Sequence, residues 1–222
     1  MRQTVNLLSD FLLNFVGQIF IMKKIFYGAF LGLLLGIVAF RTAEEPLPIG
    51  SPVPKPSLKL QDISGKQISL QESSMENGLL VMFSCNTCPV VVKNQSRTNE
   101  ICKYALGKEI GVIILNSNEG YRSDDDSFNA MKDYAKDQQY NWYYAVDKNN
   151  ELADAFGANR TPECFLFDKN GKLVYHGAID DNPQNSDNVK RQHLKEAINE
   201  ITEGKDVSVK QSRSIGCSIK RI

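Results

Sequence analysis

The stretch FSCNTCPV, residues 83–90, contains two cysteines separated by two residues, Cys85 and Cys88. Two thiols at this spacing can form a reversible disulfide, supply half of a zinc site, or be two inert buried side chains. In a redox pair, one thiolate attacks a partner's disulfide and the second thiol resolves the mixed disulfide. Each alternative gives the chain a different class of function, and the surrounding sequence discriminates among them.

The segments on either side of the two cysteines favour the redox pair. Residues 78–84, GLLVMFS, are almost continuously apolar, which predicts a strand buried on both faces. From Asn86 to about Leu106 the pattern becomes helical, so Cys85 is expected at the N-terminus of a helix. Unpaired N–H groups and the helix dipole stabilise a thiolate there. We therefore predict that Cys85 is the nucleophile and Cys88 the resolving cysteine.

A structural zinc site needs two more ligands at a suitable spacing. The other cysteines and both histidines occur singly, without a second CxxC or a His-x-x-x-His pair. They are Cys102, Cys164, Cys217, His176 and His193. The acidic run at residues 124–126 lacks the spaced ligands and the glycine of a calcium loop, so helix capping and solvation explain it. We therefore predict no bound metal.

The dipeptide Thr161-Pro162 is a second feature that supports redox chemistry. The proline lies just before the predicted strand at residues 163–168, ECFLFD. A proline at the start of a strand, in a tight turn, is a candidate for a cis peptide bond. An ordinary trans proline in a loop is the alternative.

Three cysteines lie outside the CxxC pair, which makes the total odd and leaves at least one thiol free or bonded between chains. Cys102 falls within the helix after the pair and is predicted to be a core thiol. Cys164 follows Pro162 by two residues. It is predicted to be a buried structural thiol, with an additional redox role as the alternative. Cys217, in the C-terminal tail, is a candidate resolving thiol that folds onto the site or pairs with Cys164.

The rest of the domain alternates predicted strands and helices. Hairpins are expected around residues 64–65 and 169–171, and a second buried strand is expected over residues 110–118. An amphipathic helix over residues 189–204 closes the pattern. This order predicts an α/β sandwich in which a central mixed sheet is flanked by helices.

The N-terminal residues 1–43 are set apart from this domain. Lys23 and Lys24 precede the uncharged apolar run of residues 25–40, which is the layout of a secretory signal. The run is shorter than the roughly 20 residues that span a bilayer, so cleavage and retention as an anchor both stay open. Met22 as the true start would explain the residues ahead of the lysines. By the positive-inside rule, the domain is predicted to be periplasmic or anchored in the bacterial inner membrane facing the periplasm.

The composition sets further limits on organisation and partners. Residues 44–58 carry five prolines and are predicted to be a linker, and residues 59–204 are predicted to be the domain. Residues 205–222 form a tail that either docks back on the domain or stays loose. The formal net charge is +0 and basic residues form only short clusters, so nothing favours a nucleic-acid partner and none is predicted. Membrane contact is expected only through an uncleaved N-terminal segment.

The order of strand, CxxC, helix and Thr-Pro before a hairpin resembles the thioredoxin superfamily. Within it, the chain is similar to bacterial thioredoxin-like, redoxin-type proteins related to the alkyl hydroperoxide reductase and thiol-specific antioxidant branch. The resemblance covers about residues 54–220. It is carried by VMFSCNTCPVV, ILNSNEGYRSDDDSFNAMKDYA, AFGANRTPECFLFDKNGKLVYHGAIDDN and SIGCSIK. It implies a thioredoxin-like sandwich that uses a redox-active disulfide and no bound cofactor.

Carried over residue by residue, the resemblance implies the same roles for Cys85 and Cys88. The substrate-contacting residues would be those of the proline loop and of the dipeptide between the cysteines, namely Thr161, Pro162, Asn86 and Thr87. Peroxiredoxins carry a Pro-x-x-x-Thr-x-x-Cys motif, and aligning its cysteine with Cys88 puts Cys85 at the threonine position. The hydroxyl that orients a peroxide is therefore missing from its place.

The predicted function is a thiol-disulfide oxidoreductase in cell-envelope redox homeostasis. It would exchange electrons with protein or small-molecule disulfides and with a thiol electron donor. One alternative is a peroxiredoxin-like thiol peroxidase with an antioxidant role. Another is a non-catalytic thioredoxin-fold module that holds a soft metal such as Cu(I) between thiolates.

Overall fold

The computed structural model describes residues 45–222, which form a domain built on a seven-stranded mixed sheet. The strands are β1 (Leu60–Asp62), β2 (Gln67–Ile68), β3 (Gly78–Ser84), β4 (Ile110–Asn116), β5 (Tyr143–Val146), β6 (Arg160–Thr161), β7 (Glu163–Asp168), β8 (Leu173–Gly177) and β9 (Cys217–Ser218). The α-helices within these residues are α1 (Leu70–Ser73), α2 (Pro89–Gly107), α3 (Phe128–Asp137), α4 (Glu151–Phe156) and α5 (His193–Thr202).

The sheet has the order β2-β1-β5-β4-β3-β7-β8, and β6 and β9 form a separate two-stranded sheet. Strand β3 runs parallel to β4 and antiparallel to β7. Because β3 and β4 are parallel and paired at Ser84 and Asn116, their carboxyl ends lie side by side. Ligand sites of open α/β sheets form at such ends.

Helices cover both faces of this sheet, which confirms the predicted α/β sandwich. Every residue of β3 is buried. Its alternate side chains point to opposite faces, so Leu80 and Met82 join one apolar cluster with α2, α3 and α5. Val81 and Phe83 join the other cluster, with α1 and α4. Burying each such side chain contributes about 1.5–3 kcal/mol to the free energy of folding. Packing on both faces of the sheet therefore stabilises the strand that leads to Cys85.

The strand and hairpin predictions are confirmed, and the start of the central helix is not. The β1–β2 and β7–β8 hairpins form as expected. Helix α2, however, begins at Pro89 rather than at Asn86, and Cys88 is its N-cap. The reason is local, because proline suits the first helical position and the residue before it is restricted to extended backbone.

Both segments flanking the predicted domain pack against it. In the proline-rich segment, the N–H of Leu47 donates to Phe156 O (3.0 Å) and that of Gly50 to Leu173 O (2.8 Å). The tail docks as well, with Val207 and Ile219 buried. Residues 1–44, which include the predicted signal or anchor, lie outside the described residues. Within residues 45–222, no helix has the length and apolar character needed to cross a membrane.

Candidate functional site

The two cysteines of the CxxC lie where β3 ends and α2 begins. Cys85 follows the last residue of β3 directly, and Cys88 caps α2 with extended backbone at φ −62° and ψ 122°. Cys85 is 2% exposed and Cys88 is 4% exposed. Cys88 is therefore the N-cap residue, three residues after the predicted start of the helix, and its side chain makes no capping hydrogen bond.

Cys88 forms a disulfide with Cys217 of the tail, across a Cα–Cα distance of 6.0 Å and a sequence separation of 129. Cys85 is a free, buried thiol. Of the two placements predicted for Cys217, folding onto the site is the one observed, and pairing with Cys164 is not. Exchange between Cys85 and Cys88 stays a prediction, because the disulfide in the structure joins Cys88 to Cys217 of the tail and not to Cys85.

The Cys85 sulfur lies in a buried polar pocket. Its Sγ is 3.5 Å from Thr161 Oγ1. Burial raises the pKa of the Cys85 thiol and the Asp126 carboxylate adds to the rise, while hydrogen bonds from Thr161 and from the backbone of Cys88 and Thr87 offset part of it. Backbone N–H groups just ahead of α2 therefore favour the Cys85 thiolate, as expected, but burial outweighs them and the pKa is raised overall.

Thr161 and Pro162 lie beside the cysteines as predicted, and the peptide bond between them is cis. Thr161 is buried, and its carbonyl oxygen is 3.4 Å from Cys88 Sγ. On its other side, Thr161 pairs with Cys217 across the β6–β9 ladder. This one residue therefore contacts Cys85, Cys88 and the tail.

Buried Glu163 holds the proline loop in place. Its Oε2 accepts the backbone N–H groups of Asn159 (2.8 Å) and Arg160 (2.9 Å). Its Oε1 is 2.7 Å from His176 Nε2, on the neighbouring strand β8. The carboxylate thus ties the start of β6 to the main sheet, which fixes the strand that receives the tail.

The dipeptide between the cysteines has one inward and one outward side chain. Asn86 is buried, with Oδ1 accepting from Tyr144 Oη (2.8 Å) and Nδ2 donating to Asp125 O (2.8 Å). Thr87 is exposed. The Asn86 side chain is therefore used in internal hydrogen bonds, whereas that of Thr87 is open to solvent, and substrate contact by either residue stays a prediction.

Asp126 is a site residue that the sequence interpretation missed. Its carboxylate is 0% exposed. Oδ1 accepts the N–H of Asn86 (2.9 Å) and the Asn116 amide (2.7 Å), and Oδ2 accepts the Asn118 amide (2.9 Å). The carboxylate anchors the CxxC loop to the carboxyl end of β4. The sequence feature that could have indicated this buried polar site is the pair of polar residues Asn116 and Asn118, which follow a continuous apolar run.

The tail is anchored on both sides of Cys217. Beyond it, the N–H of Ile219 donates to Asn159 O (3.1 Å) and that of Lys220 to Asn118 Oδ1 (2.9 Å). Before it, Gly216 lies so close to the proline loop that a Cβ on this residue would overlap Thr161 O. The glycine is therefore needed for the close approach that brings Cys217 to Cys88.

We expect Gly216→Ala to make the Cys88–Cys217 disulfide easier to reduce. The overlap with Thr161 costs about 1–3 kcal/mol in the docked state, which corresponds to about fivefold to more than a hundredfold in the equilibrium constant. A glutathione redox titration with thiol trapping measures the shift. The control is Gly107→Ala, because a Cβ there meets nothing within 4 Å. Equal midpoints for the Gly216→Ala variant and the wild type would contradict the tight fit.

The other two cysteines lie in the core. Cys102 and Cys164 are fully buried in the same apolar cluster. Burial raises the pKa of both thiols well above the usual value, which disfavours the reactive thiolate. This environment fits the structural role predicted first for Cys164. Among residues 45–222, no group of three or more Cys, His, Asp and Glu side chains is arranged to hold a metal ion.

The sequence of this chain is similar to those of known proteins. The Redoxin family model matches residues 48–193. A thiol-disulfide oxidoreductase ResA of Bacillus thuringiensis is 30% identical over 162 residues, which cover 69% of this chain and 88% of the relative. The ResA of a Bacillus cereus strain is 29% identical over 162 residues, with the same coverage of 69% and 88%.

Solved structures also resemble this chain. A hypothetical protein of Sinorhizobium meliloti has a TM-score of 0.73 and 31% identity, over 80% of this chain and 97% of that one. An uncharacterized conserved protein of Geobacillus kaustophilus has a TM-score of 0.72 and 32% identity, over 78% and 92%. The thioredoxin domain of a Bacteroides vulgatus thiol-disulfide oxidoreductase, at 17% identity and a TM-score of 0.50, covers 60% of this chain and 89% of that one. This last likeness shows the thioredoxin-like fold.

Proposed function

We propose, from the premise that the chain belongs to the Redoxin family and is a thiol-disulfide oxidoreductase, that Cys85 and Cys88 are its exchange pair in the cell envelope. The convergence of sulfurs at the proline loop carries the proposal. Thr161 Oγ1 is 3.5 Å from Cys85 Sγ, and Thr161 O is 3.4 Å from Cys88 Sγ. One loop thus faces both sulfurs, so a disulfide brought to this loop reaches either of them.

The reaction transfers two electrons between this pair and a disulfide. In the reducing direction, one thiolate attacks the substrate disulfide, and the second displaces the substrate from the mixed disulfide. The pair itself is the redox-active group. The substrates are protein or small-molecule disulfides, and a thiol donor returns the pair to the dithiol.

Export from the cytoplasm is part of the proposal. The two lysines and the apolar run of residues 25–40 support it, because this order is that of a signal or anchor segment. A disulfide between Cys88 and Cys217 suits the same location, since disulfides persist in oxidising compartments. Fractionation of cells that produce the full chain tests the location, and recovery in the cytosol alone would contradict it.

We expect the reduced full chain to reduce insulin, and Cys85→Ser combined with Cys88→Ser to abolish that turnover. Both sulfurs are needed because one attacks and the other resolves. Insulin precipitation in the presence of dithiothreitol measures the rate. The matched control is Cys102→Ala, which removes a buried thiol from α2 without touching the site. Equal rates for the double variant and the wild type would refute the proposal.

Thiol peroxidase activity is a second candidate, favoured by the position of Cys88. This cysteine caps a 19-residue helix and is bonded to Cys217. A hydroperoxide would convert the Cys88 thiolate to a sulfenic acid and release an alcohol or water. The Cys217 thiol would then form the disulfide and release water. Trapping sulfenic acid on Cys88 in a Cys217→Ser chain would support this activity, and reaction no faster than that of a free thiol would refute it.

A further inference from the structure

We infer that Cys217 is a third redox-active cysteine, whose disulfide with Cys88 holds the exchange pair in a closed oxidised state. Together with tail residues 208–222, this disulfide forms a latch. The inference rests on the proposed function, because it concerns how the Cys85–Cys88 pair is kept between turnovers. It adds the direction of the reaction, since a tail that stabilises the oxidised state makes the chain a stronger reductant. It also adds a switch, because a dithiol donor that reduces this disulfide releases the tail.

The sulfurs of the three cysteines lie together. Cys85, Cys88 and Val91 form a small buried cluster, and Cys217 packs against it with Val90. Cys88 is bonded to Cys217, and the Cys85 thiol is free but buried. Exchange with a substrate disulfide needs both thiols of the pair, one to attack and one to resolve. The oxidised state in the structure offers only one of them, so it is closed to that reaction.

The tail is held to the domain by few buried side chains. Within residues 208–222, Ile219 is the one buried residue. The other attachments are the two-residue β6–β9 ladder, hydrogen bonds at Ser212 and Lys220, and a partly exposed ion pair of Arg221. Segments with few buried apolar contacts open locally at a low cost in free energy. The disulfide therefore decides whether this segment stays docked.

Docking of the tail and formation of the disulfide stabilise one another. Because the tail contacts are held in place by the disulfide, they favour that bond over the disulfide within the CxxC and over the dithiol. Stabilising the oxidised state lowers the reduction potential of the chain. The wild-type chain is therefore a stronger reductant than a chain whose oxidised state is the Cys85–Cys88 disulfide. Its direction is the reduction of substrate disulfides.

A series of hydrogen bonds joins the docked tail to the CxxC loop. The N–H of Lys220 donates to Asn118 Oδ1 (2.9 Å). The Asn118 amide donates to Asp126 Oδ2 (2.9 Å), and Asp126 Oδ1 accepts the N–H of Asn86 (2.9 Å). Asn118, Asp126 and Asn86 are all buried. Release of the tail removes the first of these hydrogen bonds, so the loop between the cysteines loses a support when the latch opens.

The latch closes without net oxidation or reduction. After the pair has reduced a substrate, it exists as the Cys85–Cys88 disulfide. The Cys217 thiol gives its proton to solvent, and the thiolate attacks the sulfur of Cys88. The Cys88–Cys217 bond forms, the Cys85–Cys88 bond breaks, and Cys85 leaves as a thiolate that takes up a proton. The product is the state in the structure, in which Cys85 is a thiol and Cys88 is bonded to Cys217.

The latch opens with two electrons from a small dithiol. Cys217 is half-buried and Cys88 is buried, so a donor thiolate attacks the tail sulfur. A disulfide between the donor and Cys217 forms, and Cys88 leaves as a thiolate and takes up a proton. The second donor thiol loses its proton and attacks the donor sulfur of this mixed disulfide. The donor leaves as its own disulfide, and Cys217 takes up a proton to become a thiol.

A redox titration of the full chain in glutathione buffers, with thiol trapping and mass mapping, tests the effect of the tail on the potential. We expect the wild type to form the Cys88–Cys217 disulfide and the Cys217→Ser variant to form the Cys85–Cys88 disulfide. The midpoint of the variant should be less negative by about 30 mV or more, which is a tenfold change in the equilibrium constant. The matched control is Ser218→Ala, at the exposed residue next to Cys217, which should leave the midpoint unchanged.

The outcomes of this titration separate the inference from the proposed function. If Cys217→Ser forms the Cys85–Cys88 disulfide at the wild-type midpoint, only the inference fails. If it forms no such disulfide at any potential, the proposed exchange pair itself fails. Gly216→Ala keeps all three cysteines and is expected to raise the midpoint as well, because a Cβ there would overlap Thr161 O.

Trypsin digestion of the unsubstituted chain tests the release of the tail without any variant. Arg213 is an exposed cleavage site within the latch, and Lys169, in the β7–β8 hairpin, is an exposed site outside it. We expect cleavage after Arg213 to be about tenfold faster or more in the reduced chain, because proteolysis follows the population of the open form. Cleavage after Lys169 is the internal control and should not change. Equal rates after Arg213 in the reduced and oxidised chains overturn the switch.

Discussion

Replacing Cys217 by serine is expected to lower the free energy of unfolding of the oxidised chain by about 3 kcal/mol. The disulfide that this change removes joins residues 129 positions apart. Closing so long a loop restricts the unfolded chain strongly, and loss of the closure stabilises the unfolded state. Denaturant unfolding of the full chain under oxidising conditions measures the difference.

Two controls separate the disulfide from other effects of the substitution. In excess dithiothreitol, Cys217→Ser and the wild type are expected to unfold at the same denaturant concentration, because the disulfide is then absent from both. Under oxidising conditions, Cys88→Ser should lower the free energy of unfolding as much as Cys217→Ser does. The double variant should lower it no further than either single variant, since each substitution removes the same disulfide. Equal stability of oxidised Cys217→Ser and oxidised wild type would show that the bond does not stabilise the fold.

The pairing of Cys88 with Cys217 shows where sequence reasoning reaches its limit. The buried strand at residues 78–84 was predictable because its apolar run is continuous, and the Thr161-Pro162 loop was predictable because a proline precedes a strand. Both signals are local. The partner of Cys88 is not a local property, because spacing alone does not fix disulfide connectivity. Only the docking of the tail against β6 selects it.

The wrong prediction of where α2 starts is a different kind of error, because the local sequence did contain a signal for the correct start. Pro89 marks the first helical residue, and the residues before it stay outside the helix. Taking the helix back to Asn86 moved the helix N-terminus from Cys88 to Cys85. An error of three residues in a boundary, which is unimportant for the fold, thus changed which cysteine is the N-cap residue of the helix.

Asp126 illustrates a third limit of sequence reasoning, which is that burial of one residue within a run of like residues has no local signal. Its substitution is also predicted to have a large effect on stability. Three consecutive aspartates look equivalent in sequence, yet Asp124 and Asp125 are exposed while Asp126 is fully buried. We expect Asp126→Asn to lower the free energy of unfolding by about 2 kcal/mol. An asparagine can keep Oδ1 as acceptor for Asn86 and Asn116. Its amide, however, would face the Asn118 amide, which now donates to Oδ2 at 2.9 Å.

The same substitution is expected to lower the pKa of the Cys85 thiol. The Asp126 carboxylate raises this pKa, after burial, and neutral asparagine removes that contribution. At a fixed pH below the pKa, more thiolate is then present, so the reduced variant should react with iodoacetamide at Cys85 faster than the wild type. Mass mapping of the alkylated cysteines as a function of pH measures the shift.

The matched control for Asp126→Asn is Asp125→Asn, one residue earlier. The Asp125 side chain is exposed, and its contact with Asn86 is made by the backbone carbonyl, which the substitution keeps. Asp125→Asn is therefore expected to leave both stability and the alkylation profile unchanged. If the two variants behave alike, the buried carboxylate does not hold the CxxC loop. If Asp126→Asn destabilises the chain but leaves the Cys85 profile unchanged, its role is structural and its charge does not act on the sulfur.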